Sequence, residues 1–341
     1  MALRRVLVTG GAGYIGSVLT DLLLQRGYEV VVLDRFFFGD TLRDLAGHPG
    51  LHLVRDDIRW FPPEVLRGVD AVCDLAALSN DPAGELDPEK TMAINFRGRV
   101  RVARLSREAG VRRYIFASTC SVYGFQDGML TETAPPNPLT TYALANLEAE
   151  RHVLPLADRR FAVTVLRQAT VYGASRRMRF DLAINGMTLG IVRQGRIPVL
   201  RDGRQWRPMV HVRDTARAFL AVLEADADAV SGEVFNVGAD DQNFEILPLA
   251  ERVAAAAGCP FAYEWYGLPD HRSYRVAFGK IARRLGYRTA VTVEEGVREI
   301  ADGLRSGTLE DGPRTRTVEW YRTLLQWHAT LRQVVANGSV L

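Results

Sequence analysis

A glycine-rich turn near the start of the chain has the residue types and spacing of a dinucleotide-binding site. Residues 10–16 read Gly-Gly-Ala-Gly-Tyr-Ile-Gly, between the apolar stretch 6–9 and an amphipathic run. In such a turn Gly10 provides the tight bend, Gly13 lets the backbone approach a pyrophosphate, and Gly16 lets helix and strand pack closely. The helix that follows would point its positive N-terminus at the phosphates. The turn therefore predicts a bound dinucleotide.

A carboxylate follows at the spacing of a ribose-binding group. The apolar run 29–33 predicts the second strand and ends in Asp34, 18 residues after Gly16. An acidic residue near this spacing hydrogen-bonds the adenosine ribose hydroxyls. Because its charge repels a 2′-phosphate, Asp34 favours NAD over NADP as the cofactor, although Arg35 beside it keeps NADP open.

The elements that must position these residues alternate along the first half of the chain. Short apolar runs alternate with helical patterns, which is typical of a parallel sheet covered on both faces. The predicted strands are 4–9, 29–33, 51–54, 70–76, 112–118 and 161–167, and the predicted helices are 15–26, 40–46, 88–109 and 139–157. Further along, we predict strands at 209–212 and 233–237 and helices at 214–225, 246–257 and 294–306.

This pattern predicts an α/β fold: a doubly wound parallel-sheet Rossmann domain with a smaller mixed α/β substrate lobe. We expect the Rossmann domain to comprise 1–173 plus about 209–239. The residues after Gly173 are rich in arginine and glycine, and an apolar, strand-like run begins again at 209. The smaller lobe then comprises about 174–208 plus 240–330. Such an arrangement implies a ligand cleft between the two parts.

Composition excludes several classes of protein. The 341 residues are 47% hydrophobic and 24% charged, with a net charge of only +3, so no nucleic-acid partner is indicated. No apolar run approaches the roughly 18 residues of a membrane span, and a core strand from about residue 4 leaves no room for a signal peptide. Cys73, Cys120 and Cys259 are too widely spaced to indicate a metal site or a disulfide framework. We expect a cytoplasmic protein.

Several further motifs resemble those of the extended short-chain dehydrogenase/reductases. They are the glycine turn itself, Asp57-Ile58, Leu75-Ala76-Ala77, Asn95, the segment Ser118-Thr119-Cys120-Ser121-Val122-Tyr123-Gly124, and Tyr142. More narrowly, the chain resembles the nucleotide-sugar epimerases and dehydratases, among them the UDP-galactose 4-epimerases. The resemblance extends over nearly the whole chain, including Arg207, the turn at 211–214, residues 236–238 and the segment 280–287.

The resemblance implies roles for individual residues. Tyr142 would be the base that takes a proton from a sugar hydroxyl as hydride leaves for the nicotinamide, and Thr119 would hydrogen-bond the same hydroxyl. Asp57 and Ile58 would flank the adenine, Ala76 and Ala77 would line the pyrophosphate, and Ser118 and Asn95 would position the cofactor or the active-site strand. The cofactor-binding residues predicted in this way are Gly10, Gly13, Tyr14, Ile15, Gly16, Asp34, Asp57, Ile58, Leu75, Ala76, Ala77, Asn95, Ser118, Tyr142 and Asn146.

One position departs from the family pattern. The family motif is Tyr-x-x-x-Lys, whereas Tyr142 is followed by Asn146 at the lysine position. Residues four apart share a helix face, so the lysine would lie beside the phenol and lower its pKa from about 10. Asn146 can bond a ribose hydroxyl but carries no charge. The site is therefore active with a retuned base, uses another base, or binds nucleotide sugar without oxidising it.

The residues after Thr119 bear on the reaction. Dehydratases of this family carry an Asp-Glu pair there and decarboxylases keep the Glu, but this chain has Cys120 and Ser121. Some keto-epimerases use a cysteine one position later, and a one-residue shift along a strand points the thiol to the other face. A 4-epimerase-like cycle of oxidation and re-reduction remains the first hypothesis. A ketoreductase, a dehydratase and a catalytically silent binding protein are the alternatives.

The resemblance also indicates how a nucleotide-diphosphate sugar and a second subunit would bind. Arg207 would contact the diphosphate, assisted by Arg272 or Arg275 through fork-like pairing with phosphate oxygens. Asn185 is a candidate for a backbone or phosphate contact. The residues expected to border the sugar are Ser79, Asn80 and Arg176. In relatives, helices equivalent to 88–109 and 139–157 pair across a two-fold axis, so we expect a homodimer.

Overall fold

The structure is a computed structural model that describes residues 3–270, 272–336 and 339. Within these residues the strands are β1 Arg5–Thr9, β2 Glu29–Asp34, β3 Leu51–Arg55, β4 Ala71–Asp74, β5 Arg113–Thr119, β6 Phe125–Leu130, β7 Ala162–Gln168, β8 Thr170–Tyr172, β9 Ile197–Leu200, β10 Trp206–His211, β11 Glu233–Val237, β12 Asn243–Glu245, β13 Tyr263–Tyr266 and β14 Ser273–Val276. The helices are α1 Tyr14–Gln25, α2 Asp81–Gly84, α3 Pro88–Thr91, α4 Arg99–Glu108, α5 Thr141–Val153, α6 Ala183–Gln194, α7 Val212–Glu224, α8 Ala227–Val230, α9 Ile246–Ala256, α10 Gly279–Leu285, α11 Val293–Ser306 and α12 Thr317–Val334.

Seven parallel strands of the described chain form a central sheet in the order β11-β7-β5-β4-β1-β2-β3. Successive side chains of a strand point to opposite faces. Along β1, Val6 and Val8 pack with α1 and α7, while Leu7 packs with α4 and α5 on the other face. Helices therefore cover both faces, and the predicted doubly wound Rossmann fold is confirmed.

Most predicted elements of the first half lie within a few residues of their observed ends, and the exceptions have local causes. The helix predicted at 40–46 is wrong, because the segment forms only a short 3₁₀ turn at Arg43–Leu45 between Gly39 and Gly47, both at φ +88°. The helix predicted at 88–109 is divided by a π-helical segment, Met92–Gly98. The helix predicted at 139–157 ends at Val153 because Pro155 cannot continue it as an α-helix.

The second half of the chain adds small sheets at the carboxyl ends of the central strands. Strand β8 follows β7 directly and pairs with β10, which pairs with β12. Helices α6, α9 and α11 pack together over this three-stranded sheet. As predicted, the strand at 233–237 rejoins the central sheet, next to β7. The division into lobes at residues 173, 209 and 239 remains a prediction.

Candidate active site

An elongated cavity lies at the carboxyl ends of the central strands, where open α/β sheets bind ligands. It extends from the end of β2 to the start of α5. Its walls include most of the predicted cofactor residues and several of the predicted substrate residues: Gly10, Gly13, Tyr14, Ile15, Gly16, Asp34, Asp57, Ile58, Leu75, Ala76, Ala77, Ser79, Asn80, Ser118, Thr119 and Tyr142. The tertiary structure thus brings together residues that lie up to 132 positions apart in the sequence.

The glycine turn connects β1 to α1 in a conformation that residues with a side chain rarely adopt. Gly10 has φ +69°, and its amide donates to the Leu33 carbonyl at 2.8 Å. A Cβ on Gly16 would lie 2.0 Å from the Gly10 carbonyl oxygen, so only glycine allows helix and turn to approach this closely. Gly13 is the N-cap of the 12-residue helix α1. The resulting cradle at a helix N-terminus suits a diphosphate.

Asp34 lies at the end of β2 with its carboxylate fixed by the backbone. Its oxygens accept hydrogen bonds from the amides of Ala12 at 3.0 Å and Phe36 at 2.7 Å. Burial raises the pKa of Asp34 despite these hydrogen bonds. Arg35 turns away and donates to Asp57 at 2.7 Å. Arg35, the residue that left NADP as a possible cofactor in the sequence analysis, is therefore ion-paired with Asp57.

Asp57 is the centre of an ion-pair cluster on the cavity wall. Burial acts against its charge, but hydrogen bonds from Arg59 and Arg35 lower the pKa of Asp57 to about 2. The guanidinium of Arg59 binds both carboxylate oxygens, at 2.9 and 2.8 Å. Neighbouring Ile58 is buried in the core cluster beneath the cavity. This arrangement keeps Asp57 ionised and rigid at the cavity edge.

Thr119 and Tyr142 meet because one ends a central strand and the other begins a helix. Thr119 is the last residue of β5, and Tyr142 is the second residue of α5, whose N-cap Thr140 accepts from the Ala143 amide at 3.1 Å. A Cβ on Gly84 would lie 2.8 Å from the Tyr142 Cβ, so α2 packs directly against this tyrosine. The Thr119 hydroxyl is near enough to the Tyr142 phenol to act on its pKa.

Burial is the main influence on the Tyr142 phenol and raises its pKa. The nearby Asp81 carboxylate acts in the same direction, while Arg99, the Thr119 hydroxyl and Arg179 act against it. Asp81 lines the cavity at the start of α2 and accepts from the Thr140 hydroxyl at 2.5 Å. The charge state of Tyr142 is thus set by groups from four separate segments.

Asn146 lies behind the cavity wall, with only 1% of its surface exposed. Its amide nitrogen donates to the Tyr142 carbonyl at 2.8 Å, and its amide oxygen accepts from the Arg99 guanidinium at 3.0 Å. Both ends of the amide are therefore engaged within the protein. The structure does not place Asn146 in the cavity lining where it would meet a ribose.

Other predicted cofactor residues support the cavity wall through backbone hydrogen bonds. Asn95 is fully buried and binds both the amide and the carbonyl of Leu78, at 2.8 and 3.0 Å. The Thr9 hydroxyl accepts from the amides of Leu75 and Ala76 at 3.1 Å each. Ser118 donates to Glu150, which is itself paired with a buried arginine. These contacts fix the loop after β4 and the end of β5.

The residues predicted to border the sugar divide into two groups. Ser79 and Asn80 line the cavity and contact Arg179 at 3.2 Å and Asp181 at 3.1 Å, respectively. Arg176 lies outside the cavity lining and pairs with Asp21 and Asp44 on the protein surface. Arg179, which the sequence analysis did not single out, makes a two-bond ion pair with Asp181.

None of the arginines predicted to bind diphosphate is in the cavity lining, and two of them meet at one carboxylate. Arg207 and Arg272 share Asp270, at 2.7 Å and 2.9 Å, and Arg272 also pairs with Asp81. The guanidinium of Arg275 lies 5.2 Å from the centre of the Trp206 ring. The structure therefore groups Arg207 and Arg272 around carboxylates, one of which faces the cavity.

Asn185 makes contacts within the protein only. It is fully buried, its side-chain oxygen accepts from the Gly173 amide at 2.9 Å, and its nitrogen donates to the Arg179 carbonyl at 2.9 Å. The same nitrogen donates to the Tyr14 hydroxyl at 3.0 Å, so Asn185 ties α1 to α6. The sequence analysis gave a backbone contact and a phosphate contact as alternatives for Asn185, and the structure shows bonds to backbone groups.

The cavity residues that the sequence analysis did not single out include Arg177, Tyr321 and Gln168, which come from distant segments. Arg177 lines the cavity with its guanidinium 3.5 Å from the centre of the Phe38 ring, and Tyr321 of α12 lines the same end. Gln168 lies at the end of β7. The buried Arg177 Nε and Gln168 Oε1 have no hydrogen-bond partner among the described residues. Burial and nearby Arg179 lower the pKa of Arg177 to about 9.

Within the described residues no cluster of side chains could hold a metal ion, and the three cysteines are free thiols. The Cys120 thiol donates to the Arg167 carbonyl at 3.3 Å and does not line the cavity. No helix of the described chain combines the length and the apolar character needed to cross a membrane.

The chain matches a known family and several characterised proteins. The family model of the NAD dependent epimerase/dehydratase family matches residues 6–238, which confirms the resemblance found in the sequence. UDP-glucose 4-epimerase of Mycolicibacterium smegmatis is 30% identical over 89% of this chain and 99% of its own length. dTDP-glucose 4,6-dehydratase of Streptomyces griseus is also 30% identical, over 94% of this chain and 95% of its own. The solved complex of MoeE5 with UDP-glucuronic acid and NAD is 29% identical, covers 89% of this chain and 99% of MoeE5, and superposes with a TM-score of 0.78.

Proposed function

The chain belongs to the NAD dependent epimerase/dehydratase family, and we propose that it is a nucleotide-sugar epimerase that works by transient oxidation and re-reduction. An epimerase and a dehydratase match it at the same 30% identity, so the relatives alone do not choose the reaction. The choice of an epimerase rests on the residues around Thr119. Thr119 and Tyr142 line one cavity, and the two residues after Thr119 are Cys120 and Ser121 rather than carboxylic acids.

NAD fits the cavity on the evidence of the residues that form it. The Gly16 position has no room for a Cβ, which matches the close packing of helix and turn in a dinucleotide-binding site. Asp34 presents a buried carboxylate that suits the two ribose hydroxyls, while Arg35 is engaged by Asp57. The MoeE5 complex contains NAD in a protein of the same fold. Bound in this way, NAD would accept a hydride from a sugar carbon and return it to the opposite face of that carbon.

Side chains of this protein accept and return the proton of the reaction. The Tyr142 phenolate accepts the proton of the sugar hydroxyl at the carbon that is oxidised, and the Thr119 hydroxyl hydrogen-bonds the same oxygen. After the keto sugar has rotated in the cavity, Tyr142 returns the proton to the carbonyl oxygen, which becomes the hydroxyl of the other epimer. General acid-base catalysis of this kind contributes about 10²–10⁴-fold to a rate. No further acid is needed, because no water is eliminated.

The diphosphate of the sugar nucleotide is assigned to Arg207 and Arg272. Both are held by Asp270 beside the cavity, and Arg272 also by Asp81. Planar guanidinium groups bind phosphate oxygens in pairs, so an incoming diphosphate would compete for these arginines. The proposed substrate class is therefore a nucleotide-diphosphate sugar, such as the UDP-sugars found with the solved relative.

A homodimer in the cytoplasm completes the proposal. The apolar stripes of α4 and α5 are largely used in the core by Val100, Val102 and Val153, whereas Leu144 of α5 is 42% exposed. Pairing of these helices between subunits would cover Leu144. Free thiols are typical of reducing compartments such as the cytoplasm. Light scattering of the purified protein measures the dimer directly, and a monomer at micromolar concentration would contradict it.

The proposal is tested with purified protein and a panel of nucleotide-diphosphate sugars. We expect NAD to be released on denaturation and two epimers to equilibrate without added cofactor, followed by NMR. Tyr142→Phe should reduce turnover by about 10²–10⁴-fold, whereas Tyr263→Phe, at an exposed tyrosine, should not. A 4-keto-6-deoxy product would indicate a dehydratase, and consumption of NADPH a reductase. Binding without turnover of any sugar would indicate a silent binding protein.

A further inference from the structure

A buried arginine lies next to the position where the family lysine is missing. Arg99 is 1% exposed and is the largest fully buried side chain of the described residues. It is the first residue of α4, directly after the π-helical segment Met92–Gly98, and it forms part of the cavity wall together with Tyr142. Arg99 has no role in the proton transfer proposed above.

Each of the three nitrogens of the Arg99 guanidinium donates a hydrogen bond. It donates to the Asn146 side-chain oxygen at 3.0 Å, to the Asp74 carboxylate at 3.3 Å and to the Asp74 carbonyl at 2.5 Å. Its flat face lies 3.8 Å from the centre of the Phe116 ring. Asn146 in turn donates to the main-chain carbonyl of Tyr142 at 2.8 Å. A continuous chain of contacts therefore joins the cation to the helical turn that carries the phenol.

The ion pair with Asp74 does not cancel the charge on the cavity side. Arg99 lines the cavity, whereas Asp74 is fully buried beneath it. There the Asp74 carboxylate is bonded by the hydroxyls of Thr9 and Tyr114. The positive end of the pair thus faces the ligand space, and Arg99, unlike Asp74, is among the main charged groups that act on Tyr142.

We propose that Arg99 is a positioning residue that supplies the positive charge beside Tyr142 in place of the family lysine, and that Asn146 holds its guanidinium there. The inference rests on the proposed role of Tyr142 as the base. It also explains the residue at 146. A lysine there would put a second cation against the buried guanidinium, whereas the asparagine oxygen accepts its hydrogen bond.

The charged groups that act on Tyr142 define the sign of the effect. Arg99 and Arg179 favour the phenolate, and Asp81 disfavours it. An opposite charge near an ionisable group lowers the pKa of an acid. Removing the Arg99 charge should therefore raise the pKa of the Tyr142 phenol, and removing the Asp81 charge should lower it.

The test is a titration of the phenol in the NAD-loaded protein without substrate. The protein is labelled with 3-fluorotyrosine, whose phenol is more acidic than that of tyrosine, and followed by ¹⁹F NMR. Tyr142→Phe identifies the Tyr142 resonance as the one that disappears. Because no turnover is measured, the result does not depend on whether the protein is an epimerase.

We expect Arg99→Gln to raise the titration midpoint of Tyr142 by about one pH unit, and Arg99→Lys to keep it near the wild-type value. Arg99→Gln/Asn146→Lys should return it towards the wild type. The matched control is Arg113→Gln, which removes a buried arginine at the other end of β5, where it binds main-chain carbonyls of α7. That control should leave the midpoint unchanged.

A folded Arg99→Gln protein whose midpoint equals that of the wild type would overturn the proposal, and so would an equal rise in Arg99→Lys. Loss of Arg99 alone leaves the Asp74 charge buried without its partner, which is strongly destabilising. If Arg99→Gln fails to fold, Arg99→Gln/Asp74→Asn removes both charges together. We expect the same upward shift in that variant, and an unchanged or lowered midpoint would refute the assignment.

Discussion

Replacing Gly16 by alanine perturbs the proposed NAD site at a single, well-defined contact. The added Cβ would lie 2.0 Å from the Gly10 carbonyl oxygen and 2.8 Å from the Gly11 Cα. Side-chain Cβ atoms essentially never come closer than 3.0 Å to such atoms, so helix α1 and the turn must separate by about 1 Å. Both partners are backbone, and no flexible side chain can absorb the movement.

The displacement has a calculable effect on binding. Overpacking of this kind costs typically about 1–3 kcal/mol, and the free protein relieves it by moving the turn. NAD binding must then restore the original turn, so the same energy is lost from the binding free energy. The dissociation constant for NAD should rise about 5- to 150-fold, because each 1.4 kcal/mol corresponds to a factor of ten.

Two further glycines provide comparisons. A Cβ on Gly13 would lie 3.0 Å from the same Gly10 oxygen, so Gly13→Ala should disturb the unbound turn less than Gly16→Ala and should weaken NAD binding mainly by taking up space beside the diphosphate. Gly312 has no neighbour within 4 Å of its Cβ position and a φ of −160°, so Gly312→Ala should bind NAD like the wild type. Isothermal titration calorimetry on the apo-protein measures the dissociation constant for NAD of all three variants, and circular dichroism verifies that they are folded.

The order of the effects is the critical result. If Gly16→Ala bound NAD with the wild-type dissociation constant, the close approach of turn and helix would have no role in the site. If Gly312→Ala weakened NAD binding as much as Gly16→Ala, the contact at Gly10 would not be the determining one. Either outcome would refute the steric argument without affecting the assignment of Tyr142.

Two other predictions concern the cofactor end of the cavity. Burial raises the pKa of Asp34, and only its ionised form accepts two ribose hydroxyls. NAD affinity should therefore fall as the pH drops through that raised value, which lies above the ordinary aspartate pKa of about 3.9. Asp34→Asn should bind more weakly and without this pH dependence in calorimetric titrations, and a parallel pH dependence in both proteins would contradict the assignment. Arg177→Met removes a guanidinium from the cavity wall, where it donates to the Thr317 hydroxyl, and should raise the dissociation constant for NAD at least about tenfold, as expected for a charged hydrogen bond. Arg176→Met, at the adjacent surface arginine, should have little effect, and equal losses in the two variants would exclude a specific contact of Arg177.

The local parts of the fold could be predicted from the sequence because they depend on neighbouring residues. Apolar runs such as 29–33 are buried on both faces of a parallel sheet, and they read as strands wherever they occur. The glycine turn and the spacing to Asp34 are also local, since both lie within one β-α-β unit. The helix predicted at 40–46 failed for a local reason too, because glycines with positive φ bound the segment on both sides and only Arg43–Leu45 forms a 3₁₀ turn.

The relation between neighbouring arginines could not be predicted in this way. Arg176 and Arg177 are adjacent, yet one pairs with surface carboxylates and the other lines the cavity. Their directions depend on how the segment after β8 packs against α1 and α12. Tyr321 likewise reaches the cavity from a helix that lies almost 290 residues after Asp34 in the chain.

The sequence by itself determined the family, the central sheet, the glycine turn and the absence of a lysine at position 146, because each is a property of residue types at short spacing. Only the tertiary structure decided what stands beside Tyr142 instead. Arg99 belongs to a different helix, 47 residues before Asn146, and nothing in its local pattern distinguishes it from the other arginines around it. The packing of α4 and α5 on one face of the sheet brings the two side chains together. A buried charge acts through the distances that this packing sets, and the order of residues along the chain does not contain those distances.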